Sequence, residues 1–184
     1  MTIYRLKNRE TSWGDYGNIL VSGMTAHLER HNDLLQLERT GPYVPPLVNS
    51  GLWDIVVTDK VKDRLMVSGL VGISFRPVIK KHIVDLDWTT WDTNAEDPTY
   101  YPESGEPEDY ILGGEHSELL AERMGDLWEL MIPITGTFSN GAFISNGQEA
   151  DIFKADNKGY ILVTEKGKDW IERNAGDWVT FETA

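Results

Sequence analysis

Two stretches of the chain share one pattern of apolar and polar positions. Residues 56–76 read VVTDKVKDRLMVSGLVGISFR, and residues 162–182 read LVTEKGKDWIERNAGDWVTFE. At an offset of 106, without a gap, six positions are identical: Val57/Val163, Thr58/Thr164, Lys60/Lys166, Lys62/Lys168, Asp63/Asp169 and Phe75/Phe181. In each copy an apolar run, 54–57 or 160–163, predicts a strand that ends at a threonine. Thr58 and Thr164 are suited to cap a helix with their hydroxyls. Asp59 and Glu165 then place a negative charge in the first turn, where the helix dipole favours it. The helices are expected to stop near Gly69 and Gly176. An alternating strand follows, with Ile73 and Phe75 on one face in the first copy and Val179 and Phe181 in the second. All four are expected to be buried. The shared Lys-x-Lys-Asp reads as a solvated helix face.

The other segments give coarser expectations. Residues 79–88 read as a strand. The spacing of Leu119, Leu120, Met124 and Leu127 predicts a helix over 117–127 capped by Ser117, and 128–134 reads as a strand. The Gly-, Asn- and Ser-rich stretch 136–147 predicts a hairpin or turn. Residues 40–46, Thr-Gly-Pro-Tyr-Val-Pro-Pro, read as a stiff extended connection. The predicted fold is α+β: a single domain over 1–184, with pseudo-repeated strand–helix–strand units at about 54–78 and 160–183.

Charge adds a third feature. The 184 residues carry a net charge of −13, but eleven of the acids lie between Asp85 and Glu118, where there is no Lys or Arg. The other 150 residues carry a net −2. This acidic insertion, 85–118, also holds Trp88, Trp91, Tyr100, Tyr101 and Tyr110, with Pro98, Pro102 and Pro107 among them. Prolines at this density predict an ordered but irregular loop. Two readings stay open: a solvated loop whose aromatics fold back on the core, and a recognition surface. The second makes Trp88, Trp91, Asp92, Tyr100, Tyr101, Glu103, Glu106, Glu108, Asp109 and Tyr110 the candidate partner-binding residues. Acidic composition argues against nucleic acid and anionic membrane as partners and favours a cationic one. Whether the chain forms a homo-oligomer is left open.

The chemistry-bearing residues are few. The absence of cysteine removes a disulfide framework, a thiolate zinc site and a Cys nucleophile. The N-terminus has no apolar run after its basic residues and no stretch approaches the length of a membrane span, so the expected compartment is the cytoplasm. His27 and His31, four apart, would share a helix face as zinc ligands do. The expected catalytic residues, metal and cofactor are none: the pair lacks a third ligand, and His82 and His116 stand alone. No phosphate-binding glycine loop or nucleophile elbow occurs.

Several stretches carry a family likeness: Glu38-Arg-Thr-Gly-Pro-Tyr-Val-Pro-Pro46; Asp54-Ile-Val-Val-Thr-Asp59, continuing to Phe75-Arg-Pro-Val78 and Asp85-Leu-Asp-Trp88; Gly105-Glu-Pro-Glu-Asp-Tyr-Ile-Leu112, followed by Met124-Gly-Asp-Leu-Trp-Glu129; and Asp151-Ile-Phe153 with Leu162-Val-Thr-Glu165. With these the chain resembles immunity proteins encoded beside polymorphic toxins of the Rhs or type VI secretion kind. The resemblance implies a bacterial cytosolic protein, not an enzyme, that binds a cognate toxin and holds it inactive; it carries no residue-level inhibitory motif. A basic surface or cleft on the toxin would suit the acidic loop. Two alternatives stand beside it: a carbohydrate-binding or glycoside-processing protein that uses the acids and aromatics of the loop, and a DNA mimic that inhibits a nucleic-acid-binding protein.

Overall fold

The computed structural model describes residues 2–10, 13–51, 53–92 and 94–184, without the side chains of His27 and Leu28. In chain order the strands and helices are β1 (Ile3–Asn8), α1 (Asp15–Ser22), β2 (Met24–His31), β3 (Leu34–Gly41), β4 (Leu47–Val48), β5 (Ile55–Thr58), α2 (Asp59–Met66), β6 (Ser74–Pro77), β7 (Ile79–Asp85), α3 (Glu108–Gly113), α4 (Glu118–Arg123), β8 (Leu127–Met131), β9 (Ile134–Ser139), β10 (Ala142–Ser145), β11 (Ile152–Ala155), β12 (Ile161–Thr164), α5 (Glu165–Ala175) and β13 (Val179–Thr183). The class is α+β, with strands ordered β4–β5–β8–β6, β10–β9–β11–β12–β1–β13 and β2–β3–β7 in three sheets.

The two similar stretches form β5–α2–β6 and β12–α5–β13, with both strand-to-helix junctions 106 positions apart. In neither unit do the two strands pair with each other. A third strand lies between them, antiparallel to both: β8 in the first and β1 in the second. The ladders have corresponding registers. Thr58 faces Leu127 and Phe75 faces Leu130, as Thr164 faces Ile3 and Phe181 faces Leu6. On the far side, β4 pairs with β5 as β11 pairs with β12. The inserted strand comes from after the first unit but from before the second, so the match extends beyond the contiguous stretches in which sequence similarity is visible.

These corresponding positions meet in one core. Ile55, Val57, Leu65 and Leu130 from the first unit pack in the same buried cluster as Ile161, Val163, Ile171 and Leu6 from the second. Val179 is buried, while Ile73, Phe75 and Phe181 are half-buried against the cluster rather than enclosed by it. Both units are short, and their closing strands lie toward the sheet margins. Gly167 takes the place of Val61 on α5. A Cβ there would stand 2.3 Å from the Asp151 carbonyl oxygen, so the missing side chain lets α5 sit tightly on the strand beneath it. Asp151 ties the units together: its carboxylate accepts from the Thr164 hydroxyl at 2.7 Å and from the Val71 amide at 2.9 Å.

Local details depart from expectation. Thr164 caps α5 by accepting from the Gly167 amide at 3.1 Å, but Thr58 makes no side-chain cap bond. Helix α2 stops at Met66, short of Gly69. The second lysine of each Lys-x-Lys-Asp is not on a purely solvated face. The Lys62 ammonium lies 3.7 Å from the Trp128 ring centroid and the Lys168 ammonium 5.4 Å from that of Tyr4, on the two inserted strands. Each aliphatic stem covers apolar surface while the charge meets a ring face. Helix α4 ends at Arg123, with the Ser117 hydroxyl accepting from the Leu120 amide. The 136–147 stretch is a hairpin with Asn140 and Gly141 at its turn, and residues 40–41 belong to β3 rather than to a connection.

The remaining sheet and α4 cover the outer face of the first unit through Leu35, Leu37, Ile83, Leu120 and Met124, packed against Val48, Val56 and Leu127. A charged network closes one side of this layer. Glu129, 4% exposed, accepts from Arg30 at 2.8 and 2.9 Å and from Arg76 at 3.2 and 3.4 Å.

Leu65→Ala and Ile171→Ala, at corresponding positions of one cluster, are each expected to cost about 2–5 kcal/mol. Urea unfolding should show a lowered midpoint with an unchanged slope for both.

Candidate interaction surface

The acidic segment leaves the sheet at the end of β7 and returns to the same strand. On the return, the Ser117 amide donates to the Ile83 carbonyl at 2.8 Å and His116 bridges to Val84. The Ile83 amide donates to His116 Nδ1 at 2.9 Å, and His82 Nε2 lies 3.0 Å from the Gly114 carbonyl. His82 and His116 are therefore not isolated: their rings are 5.9 Å apart. No chain spacing announced this pair, because the insertion separates them. A Cβ on Gly114 would come within 2.2 Å of Val84, which fixes how closely the return packs.

Between these ends the segment is only partly irregular. A 3₁₀ turn spans Trp88–Thr90, and α3 begins directly after Pro107. Pro98 and Pro102 lie in the irregular part, as the sequence leads one to expect, but Pro107 directly precedes a helix, a place that proline tolerates. Several acids hold the backbone. Asp87 accepts from the Thr89 amide at 3.2 Å and Asp92 from the Asn94 amide at 2.9 Å. Asp109 accepts from the Ser104 hydroxyl, and with Glu108 it occupies the first turn of α3.

The aromatics divide by burial. Trp88 is a core residue, 6% exposed, clustered with Trp13 and Leu20 and edge-on to Tyr43 at 5.7 Å. Trp91 is half-buried against Trp13 at 5.3 Å and Tyr100 at 5.4 Å. On α1, Tyr16 packs against Tyr101 at 5.3 Å and Tyr110 at 6.2 Å, and its hydroxyl donates to the Gly105 carbonyl at 2.9 Å. Tyr100 and Tyr101 keep 56% and 52% of their surface exposed. Trp88 is thus unavailable as a direct anchor, and the accessible aromatics are the two tyrosines, Tyr100 packed on Trp91 and Tyr101 on Tyr16.

Glu96, Asp97, Glu103, Glu106 and Glu115 are exposed. Among the described residues, the segment carboxylate that meets a basic side chain is Glu118, 3.4 Å from His116 Nε2. Pro102, Glu103, Ser104, Asp109, Tyr110 and Gly113 line an open cleft of about 810 Å³. Burial, followed by the charges of Glu106, Asp109 and Glu108, raises the Tyr16 phenol above its ordinary range. Burial, followed by Tyr16 and Tyr100, pushes Tyr110 up to about 12.

Elsewhere, His27 and His31 lie on β2 rather than on a helix. A carboxyl raised by burial belongs to Asp54, beside Arg30 outside the acidic segment. A general acid for glycoside cleavage would be sought among such groups, and its partner Arg30 already holds this one in a structural network.

Compared with known proteins, the chain matches no family model, no curated protein and no solved structure. No helix among the described residues is long and apolar enough to cross a membrane.

Trp88→Ala is expected to cost about 3–5 kcal/mol, whereas Tyr100→Ala should cost about 0.5–1.5 kcal/mol, the worth of its ring contact with Trp91; thermal unfolding of the two variants checks the division. A phenol whose folded pKa exceeds its unfolded value favours the fold while neutral. For Tyr110 that contribution is complete below pH 10.0 and is lost as pH rises through about 12. Urea midpoints measured from pH 9 to pH 12 should therefore fall less steeply in Tyr110→Phe than in the unaltered protein.

Proposed function

We propose that the chain is an immunity protein that binds a cognate toxin directly and neutralises it, with the acidic segment as its contact surface. The observation that carries the reading is the pair Tyr100 and Tyr101, half exposed on an aromatic layer and set among exposed carboxylates that, among the described residues, pair with no Lys or Arg. Rigid aromatics supply contact area at little entropic cost, and interface hot spots are rich in them. Unpaired surface charge of one sign adds repulsion within the segment but accelerates capture of a cationic partner. The likeness of the sequence to toxin-neutralising immunity proteins supports the same reading. Cytoplasmic action and a partner with a basic surface or cleft belong to this proposal.

The roles divide between the two kinds of residue. Exposed acids act during approach, so they set the association rate and its dependence on salt. Tyr100 and Tyr101 act after docking, so they set the lifetime of the complex. Glu108 and Asp109 also hold the start of α3, and their removal would disturb the surface as well as its charge.

The test is binding kinetics with the toxin encoded beside this chain. Glu96→Gln, Glu103→Gln, Glu106→Gln and Glu115→Gln combined should slow association and flatten its salt dependence, with the melting temperature not lowered. Tyr101→Ala should speed dissociation at a cost of about 2 kcal/mol or more if it is a central anchor. Unaltered association by the four-acid variant would place the interface elsewhere. Absence of any complex, together with glycan binding on an array, would replace the reading with carbohydrate recognition.

A further inference from the structure

Two imidazoles fasten the return of the acidic segment to β7, and they do so in chemically opposite ways. β7 is an edge strand, paired with β3 on one side. At its outer edge Ile83 gives both backbone groups to the return. Its carbonyl accepts from the Ser117 amide at 2.8 Å, and its amide donates to His116 Nδ1 at 2.9 Å. Ile83 is fully buried, with its side chain in the core beneath the sheet, so this residue joins the segment to the rigid part of the molecule. One position earlier, His82 Nε2 meets the Gly114 carbonyl at 3.0 Å.

These partners fix where the ring protons sit. A carbonyl oxygen only accepts, so His82 carries a hydrogen on Nε2. The neutral ring and the imidazolium can both make that bond. A backbone N–H only donates, so His116 Nδ1 must present a lone pair. Its hydrogen is then on Nε2, which lies 3.4 Å from the Glu118 carboxylate. Only the neutral ring can make this set of contacts. In the imidazolium both nitrogens are donors, and the Nδ1 hydrogen would face the Ile83 N–H. A backbone amide of a buried residue would then lack an acceptor, a state that folded proteins avoid.

The charged groups around the ring do not resolve this conflict. Glu118, from α4, would attract the imidazolium, but its side chain is 87% exposed and it acts at Nε2, away from the contested atom. Glu122 and Arg123 lie farther along the same helix. Glu115 precedes the ring on the segment and Asp85 lies two positions beyond Ile83, both exposed. From β7 the His82 ring stands 5.9 Å away, and a second positive charge there would add repulsion. Behind it, Glu38 of β3 faces His82 in the ladder and has Lys81 at 3.6 Å. Helix α3 packs on β7 with Glu108 and Asp109 in its first turn. The carboxylates give a charged ring somewhere to turn, and none replaces the acceptor that Ile83 loses.

We propose that His116 is a proton-operated latch on the acidic segment. As pH falls through the range in which an imidazole ordinarily becomes charged, around 6.5, the ring leaves Ile83, turns toward Glu118 and frees the return from the edge of β7. The latch is closed above that range and open below it. His82 keeps its hold on Gly114 in both states, so opening loosens residues 115–117 without releasing the whole segment. The proposal concerns the conformation of the chain alone and does not rest on the toxin-binding reading, and its test needs no partner.

The test follows the full chain by NMR between about pH 8 and about pH 5. Ring signals of His116 report its protonation, and the Ile83 amide reports the latch. The protection factor of Ile83, which corrects for the intrinsic pH dependence of exchange, should fall about tenfold or more in step with the His116 titration. Amides of the β5–β8 ladder should keep their protection. His116→Asn places a non-titrating oxygen where Nδ1 stands, so Ile83 should stay protected at the acid end. His82→Gln keeps a donor for Gly114 and should leave the pH response in place. Constant protection of Ile83 while the His116 ring titrates overturns the proposal. So does a His116 ring that stays neutral throughout, a response that survives in a folded His116→Asn, or one that vanishes in a folded His82→Gln. If a variant fails to fold, the comparison of Ile83 with the His116 ring in the unaltered chain still decides.

Discussion

Helix α2 has eight residues and α5 has eleven, and helices shorter than about 12–15 residues are marginal alone in water. Each also has only one apolar stripe, so it needs a surface on which to bury it. The cluster that joins Val61 and Leu65 of α2 to Ile171 and Ala175 of α5 meets both needs at once. Each helix shields the sheet of its own unit and borders the other helix. Arg64 reaches Asn174 at 3.4 Å, and Lys166 donates to the Gly69 carbonyl across the seam. Removing one unit would therefore expose the core of the other. The inserted strands β8 and β1 are remote in sequence from the units they join, so this shared core also forces long-range closure before it gains its contacts.

Other features are supported by that frame. The sheet containing β7 and α4 rests on the outer face of the first unit, and the acidic segment is strung between those two elements. Its departure from β7 and its return beside Ile83 are hydrogen-bonded to one rigid strand. That anchoring, with the bonds that Asp87, Asp92 and Asp109 make inside the segment, holds a stretch rich in carboxylates in place. Tyr16 and Trp13 complete the support from the N-terminal side. A surface built this way is pre-organised, so docking would spend little on ordering it.

The molecule also tolerates buried charge. Arg39 is fully enclosed, its guanidinium donating to the Thr40 and Tyr43 carbonyls at 2.9 Å each, and burial lowers it to about 10. Carbonyl oxygens offset part of the desolvation that a carboxylate would otherwise offset. The contact joins β3 to the chain that leads to β4, close to Tyr43, whose ring meets both Trp88 and Trp178. The Glu129 network serves the adjoining layer by joining β2, β6 and β8 through one carboxylate. Polar contacts of this kind fix register where apolar packing alone would allow a slip.

The sequence alone determined the strand–helix–strand stretches, because apolar periodicity and a first-turn acid are local signals that need no partner; of the two threonines expected to cap, Thr164 does and Thr58 does not. It also located the acidic segment and named its aromatics. Tertiary structure decided which of those aromatics are accessible: Trp88 and Tyr101 are equally aromatic and equally flanked by acids, and only packing against Trp13 and Leu20 encloses the first. The places of the inserted strands were illegible for the same reason: 128–134 reads as a strand, but β1 and β8 find their neighbours through hydrogen bonds between distant residues. So were the meeting of His82 with His116, the burial of Arg39 and the stacking of Lys62 and Lys168 on rings. Each depends on which surfaces the closed core brings together, a property of the whole chain rather than of any window along it.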